Sequence, residues 1–238
     1  APENKMRIPV SDKQVGGIDE ATFNKVIDSL SSFYAPIIKQ QGGTLQVNRK
    51  WTDATVNASA QRSGNTWVLN MYGGLARHPV TTADGFALVM CHELGHHLGG
   101  FPKIASLFGG SWASNEGQAD YFATMKCFRR VMEKEDNASV VSSMSVPKLV
   151  ADQCSVQHKS AAEINLCKRG AMGGLVLATL LNSLGGGSTP VAFDKPDMTQ
   201  VSKTNDAHPA AQCRLDTYFA GASCGAAFTE DFGKDNAI

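Results

Sequence analysis

His92-Glu93-Leu94-Gly95-His96 closes an apolar run that begins at Ala83, and its spacing decides how the chain is read. Residues four apart on an α-helix stack on one face about one turn from each other, so both imidazoles reach a single ion. Glu93 lies beside that face, placed to take a proton from a metal-activated water without being a ligand. Phe86, Leu88, Val89, Met90, Leu94 and Leu98 surround the histidines and Gly99-Gly100 ends the run, which predicts a mostly buried helix over Ala83 to Leu98. Two histidines and one carboxylate leave a fourth zinc position for water, the ligand set of catalytic rather than structural zinc.

Two sources of the third ligand compete. A His-x-x-Gly-x-x-His extension finds its glycine in Gly99, but Pro102 stands where its last histidine belongs, and that reading fails. A second helix, expected over Ser111 to Arg130, offers Glu116 instead. Ser114 or Asn115 caps it, Glu116 lies in its first turn, and Tyr121, Phe122, Met125 and Phe128 follow at helical spacing. Asp120, one turn after Glu116, is placed to accept the ring N–H of a ligating histidine and so fix its tautomer. His97 points about 100° away from His96 around the helix and is read as a supporting residue. His78 and His158 have no motif around them and are expected at the surface.

These residues resemble the gluzincin metallopeptidases of the CAAX prenyl protease, HtpX-like and BepA-like group. The likeness extends to Val56-Asn57-Ala58, to the strand and Gly-rich turn Asn65 to Leu75, and to His208-Pro209 with Arg214 five positions after the proline. It covers about residues 50 to 130 and 204 to 219. It implies an endopeptidase fold with Glu116 as third zinc ligand, Asp120 as its supporting carboxylate and His208 in the active site. His208 has two readings, a donor to the oxyanion of a tetrahedral intermediate or a resting-state ligand displaced by substrate. Arg214 is read either as an oxyanion partner or as the partner of a carboxylate.

Thr66 to Tyr72 alternates like a strand and runs into Gly73-Gly74, where backbone can approach closely. As an edge strand it would bind an extended polypeptide through main-chain hydrogen bonds, with Trp67, Leu69, Met71, Gly73 and Gly74 as substrate contacts. An interior strand fits the alternation equally well, and the resemblance favours the edge.

The chain has 238 residues with 22 basic and 22 acidic side chains, and no long basic run that would suggest nucleic acid or an anionic membrane as partner. The most apolar stretch, Ala171 to Leu184, is shorter than the roughly 20 residues of a transmembrane helix and is read as a buried helix; no transmembrane segment is expected. Six cysteines point to an oxidising compartment. Cys154 with Cys167 and Cys213 with Cys224 bracket short segments and read as local bridges. Cys91 and Cys127 are either the third bridge, tying the two ligand helices together, or buried thiols. A start at Ala1 fits a periplasmic or secreted protein after removal of a signal peptide.

The expected order is a helix from Asp19 to about Gln40, strands near 44–49, 55–61 and 66–72, the zinc helix, the Glu116 helix, helical segments near 138–150, 159–170 and 171–184, and a last helix from about His208 to Ala220. Gly185 to Asp206 is a long loop, either over the cleft or without a role. Together these predict one α+β domain over 1–238 with a zincin-like fold. A small N-terminal sheet and the zinc helix occupy about 1–100, and a helical lobe about 101–238. The function expected is a zinc-dependent endopeptidase holding one catalytic Zn2+ and acting on protein or peptide. Two rivals remain: a zinc-containing binding or chaperone-like protein with a latent site, and a zinc amidase acting on peptidoglycan or small peptides.

Overall fold

The computed structural model describes residues 4–12, 16–104 and 111–229; Ala1, on which the signal-removal expectation falls, lies outside them. The first helix, α1 (Glu20–Gln40), starts where the Asp19 side chain accepts from the Thr22 N–H at 2.8 Å. Its Phe23, Ile27, Leu30, Tyr34 and Ile38 recur every three or four residues and are all buried. Strands β1 (Thr44–Lys50), β2 (Ala58–Ser63) and β3 (Thr66–Tyr72) form one sheet in the order β1-β3-β2, with β1 parallel and β2 antiparallel to β3.

That order corrects the expected substrate strand. β3 is the middle strand, hydrogen-bonded on both sides, and Trp67, Leu69 and Met71 are buried in the core. Gly73 and Gly74 open a short helix, α2 (Gly73–Ala76), and are glycine for a different reason. A Cβ on Gly73 would come within 1.8 Å of the Trp51 carbonyl oxygen, and one on Gly74 within 2.0 Å of that of Ala54. Their small size lets the loop after β1 close over the helix rather than a substrate approach. Among the described residues β1 and β2 are the two outer strands, and β2 is the one whose residues line the cleft beside α3.

α3 (Ala83–Leu98) is capped by Thr82, whose hydroxyl accepts from the Gly85 N–H, and is buried from Asp84 to His97. α4 (Glu116–Phe122) begins after Asn115, whose side chain accepts from the Gln118 N–H at 3.0 Å. One widened π-type turn (Ala123–Phe128) and α5 (Arg129–Met132) continue it, so the expected Ser111 to Arg130 helix starts later and is locally underwound. Cys127, in the wide turn, is bonded to Cys91 on α3, and Cys154 to Cys167; both bridges suit an oxidising compartment. The Cys213–Cys224 bridge does not form, and both residues are free thiols. They lie at opposite ends of α9 (Ala211–Ser223), and eleven helical steps from Cys213 to Cys224 span about 16 Å, far beyond disulfide reach.

α6 (Asn137–Ser142) and α7 (Lys148–Gln157) replace the single segment expected near 138–150. The segments expected at 159–170 and 171–184 are one helix, α8 (Ala161–Leu184), started by a Ser160–Glu163 capping box. At 24 residues α8 is long and apolar enough to cross a membrane by length and composition, but most of its apolar stretch is buried against α3 and α9. Residues 185–206 have no regular structure and are fastened to α9: Ala192 exchanges hydrogen bonds with the Gln212 side chain, the Asp197 N–H donates to Asp216, and Phe193 packs on Phe219. His78 and His158 are buried, not surface residues, because each sits at a helix end covered by neighbouring segments. One large hydrophobic cluster joins α1, the sheet, α3, α8 and Tyr218 of α9; a smaller one surrounds the Cys154–Cys167 bridge.

Candidate metal centre

α3 and α4 meet where Gly95 faces Ala119: a Cβ on Gly95 would lie 2.8 Å from the Ala119 Cα. This close approach brings Glu116, at the start of α4, over the imidazoles of His92 and His96. One donor atom from each of these three buried residues lies within 4.8 Å of the others. His92 Nε2 is 3.3 Å from Glu116 Oε2, and His96 Nε2 is 3.6 Å from Glu116 Oε1.

The other ring nitrogens are already engaged. His92 Nδ1 lies 2.7 Å from Asp120 Oδ1, and His96 Nδ1 lies 2.8 Å from the Ser114 carbonyl oxygen. Both acceptors require an N–H at Nδ1, which leaves each Nε2 lone pair directed at the convergence point. Buried His92 Nε2 and Glu116 Oε2 have no hydrogen-bond partner. Orphaned polar atoms in a dry site are costly unless something else binds them. Two neutral imidazoles and a carboxylate of this kind fit a divalent transition metal such as zinc, with a further position open.

Asp120 is fully buried and accepts from three side chains. Arg214 donates Nε to Oδ2 at 2.8 Å and Nη2 to Oδ1 at 2.7 Å, and the Tyr218 hydroxyl donates to Oδ1 at 2.6 Å. Arg214 is therefore the partner of a carboxylate: its fork holds Asp120, and Asp120 holds His92. Burial pushes the Asp120 carboxyl up, but Arg214 and His92 outweigh it and keep it ionised. Glu116 follows the same pattern, burial being overcome by His92 and Arg214 so that its carboxyl is held far below the usual range. Burial disfavours charge on His92, yet Asp120 and Glu116 together raise its pKa to about 9, so a metal bound at Nε2 would take the place of a proton there. Positive charge is thus stabilised at this point in the fold. His96 is lowered by burial and by the charge on His92.

Glu93, buried on α3, opens on a cleft of about 300 Å3 whose wall includes Asn57 to Ala60, the two histidines, Trp112, Glu116 and His208. His208 is about half exposed, with Nε2 3.3 Å from Glu116 Oε1, and burial lowers its pKa. His97 points away and is sandwiched between Trp67 and Trp112, with ring centroids at 5.2 and 4.7 Å. Burial first and then Arg62, which donates Nε to His97 Nδ1 at 3.3 Å, depress its pKa to about 3. It is a neutral spacer that props Trp112 against the cleft.

The cleft thus gathers His92, Glu93, His96, Glu116 and His208, with Asp120 and Arg214 behind the donors. Trp67, Leu69, Met71, Gly73 and Gly74 are not at its surface. Sequence reasoning missed Tyr218, whose position one turn after Arg214 on an expected helix was a usable signal. It also missed Trp112, the Ser114 carbonyl and the β2 edge, none of which carries a motif. No family model, curated protein or solved structure matches the chain.

Proposed function

We propose that the chain is a zinc-dependent endopeptidase acting on extended polypeptide in an oxidising, exported compartment. The observation that carries this reading is the convergence of His92 Nε2, His96 Nε2 and a Glu116 oxygen beside Glu93, with both Nδ1 atoms already committed to fixed acceptors. A zinc ion held by these three residues supplies Lewis-acid polarisation of a carbonyl and acidifies water. Glu93 then takes the proton of the attacking water and delivers it to the leaving amine, a general base and acid in turn. His208, beside Glu116 on the cleft wall, donates Nε2–H to the oxygen on which charge develops. Arg214 acts through Asp120, fixing the tautomer and direction of His92. Polypeptide adds as a strand to the free edge of β2, whose Ala58 to Ala60 run along the cleft. The β2 edge reads backbone rather than side chains, which favours unfolded protein segments over a small unique substrate.

The experiment is cleavage of an unfolded protein by zinc-loaded enzyme, after chelation, and after zinc is restored. Loss and recovery are expected in step with one zinc per chain. Cleavage that survives chelation removes zinc from the mechanism, and a stoichiometric zinc protein that cuts no polypeptide removes the peptidase.

A latent zinc protein is the second reading, and the 3.3 Å approach of His208 to Glu116 favours it, since an imidazole there competes for the open position. His208→Ala separates the two. Oxyanion support predicts a fall in kcat of about 10- to 1,000-fold; latency predicts a rise.

A further inference from the structure

Beside Glu93 the cleft has a side chamber. Leu177, Leu180 and Leu181, three and four residues apart on one face of α8, form one of its walls, and Leu75 and Val89 form another. Ala58, His92 and Glu93 border both the chamber and the cleft, so the two spaces meet next to the metal donors. Arg214 adds a guanidinium to the lining.

Size and one polar atom decide what fits. The free volume is about 20 Å3, where roughly 10–15 Å3 holds one water and about 150 Å3 holds benzene. A methyl or hydroxymethyl group enters; an isobutyl group or an aromatic ring does not. The leucines belong to the large hydrophobic cluster, whose close packing keeps them from stepping aside. The polar atom is on Arg214. Its Nε and Nη2, on one edge of the guanidinium, donate to Asp120. Nη1, away from that edge, is buried and has no hydrogen-bond partner. A buried cationic donor without an acceptor is costly, so an oxygen brought into the chamber is bound strongly.

We infer that this chamber receives the substrate side chain on the amine side of the scissile bond and selects serine there, with the serine Oγ accepting from Arg214 Nη1 and its Cβ against the leucines. The inference rests on the zinc endopeptidase reading proposed above and names its specificity. Glu93 sets the side: it hands its proton to the leaving nitrogen, so the residue that carries this nitrogen lies nearest the chamber. Alanine fits but leaves Nη1 unpaired, and leucine or phenylalanine is too large. A site built to hydrogen-bond a substrate hydroxyl rejects the analogue lacking it more strongly than an apolar pocket separates side chains one methylene apart.

The test uses ligands that bind zinc and are not cleaved: succinyl hydroxamates in which a CH2 stands in for the leaving nitrogen and the next carbon carries a hydroxymethyl, methyl, isobutyl or benzyl group. Their Kd values on the zinc-loaded protein are read by isothermal titration calorimetry. The hydroxymethyl ligand is expected to bind at least about tenfold more tightly than the methyl one, and the methyl ligand more tightly than the other two. Leu181→Ala enlarges the chamber and is expected to lower the isobutyl Kd about tenfold. Equal Kd values for hydroxymethyl and methyl, tighter binding of isobutyl or benzyl, or no binding of any of the four to protein shown to hold zinc overturns the inference. An unchanged isobutyl Kd in folded Leu181→Ala protein does so too; where that variant does not fold, the four values on the parent decide. No ligand is turned over, so a protein that gives the expected order yet cuts no polypeptide loses the peptidase reading alone, and one that cuts polypeptide without that order loses the inference alone.

Discussion

Asp120 accepts hydrogen bonds from His92, Arg214 and Tyr218 and is the residue through which α9 acts on the metal donors. Asp120→Asn keeps the shape but replaces a charged acceptor with an amide that cannot satisfy three donors. Zinc affinity is expected to fall about 10- to 100-fold, measured by competition with a chelator of known affinity. An unchanged affinity would mean that His92 is oriented without Asp120. The contact of Asp120 with His92 was legible in the sequence, because its place one turn beyond Glu116 follows from helical geometry alone. So were His92, Glu93, His96 and Glu116 as a group. The partner of His96 was not, since the Ser114 carbonyl is a main-chain atom that any residue type would supply. Nor could sequence choose between the two roles of Arg214. Only the fold brings α9 across α4 and aims the guanidinium at a carboxylate.

At the scale of elements, the Gly95–Ala119 contact sets how closely the two ligand helices pack. Gly95→Ala places a methyl group 2.8 Å from the Ala119 Cα, a backbone neighbour that cannot rotate aside. Forcing the helices apart is expected to cost about 1–3 kcal/mol in stability and to weaken zinc binding by drawing Glu116 off the histidines. Thermal unfolding with and without zinc reads both effects. If the variant binds zinc as the parent does, the close approach does not hold the ligand set. Element positions followed the hydrophobic period well: α3 matches its expected bounds, and α1 and β3 do so to within a residue. What periodicity could not supply was neighbourhood. Alternation along Thr66–Tyr72 marks a strand but not its place in the sheet, and a middle strand was read as an edge. The break expected between 170 and 171 is absent, and α8 runs on through the Gly173-Gly174 pair. The helix runs through it because α3 and α9 press there: a Cβ would meet Leu88 Cδ1 at 2.9 Å from Gly173 and Tyr218 Cβ at 2.7 Å from Gly174.

Across the whole molecule, Arg169 ties the start of α3 to the helical lobe. Its Nε and Nη2 donate to Asp84 at 2.8 and 2.7 Å, and its Nη1 to Glu135 at 2.7 Å and Asn137 at 3.0 Å. Arg169→Ala leaves the Asp84 carboxylate buried without its partner, and a loss of about 3–5 kcal/mol is expected in urea unfolding. A loss below about 1 kcal/mol would show that water reaches Asp84 freely. The pair joins residues 85 positions apart, and nothing in sequence spacing announces such a contact. The same long-range closure, reinforced by the Cys91–Cys127 bridge between α3 and the wide turn after α4, holds the two halves of the site together. On the proposed function, this closure assembles a hydrolytic zinc centre. Its most direct test compares the parent protein with Glu93→Gln on one unfolded polypeptide, with zinc content measured on both. One zinc per chain is expected in each, with cleavage lowered at least about 100-fold in the variant. Equal cleavage by the Glu93→Gln protein, or loss of its zinc, would contradict it.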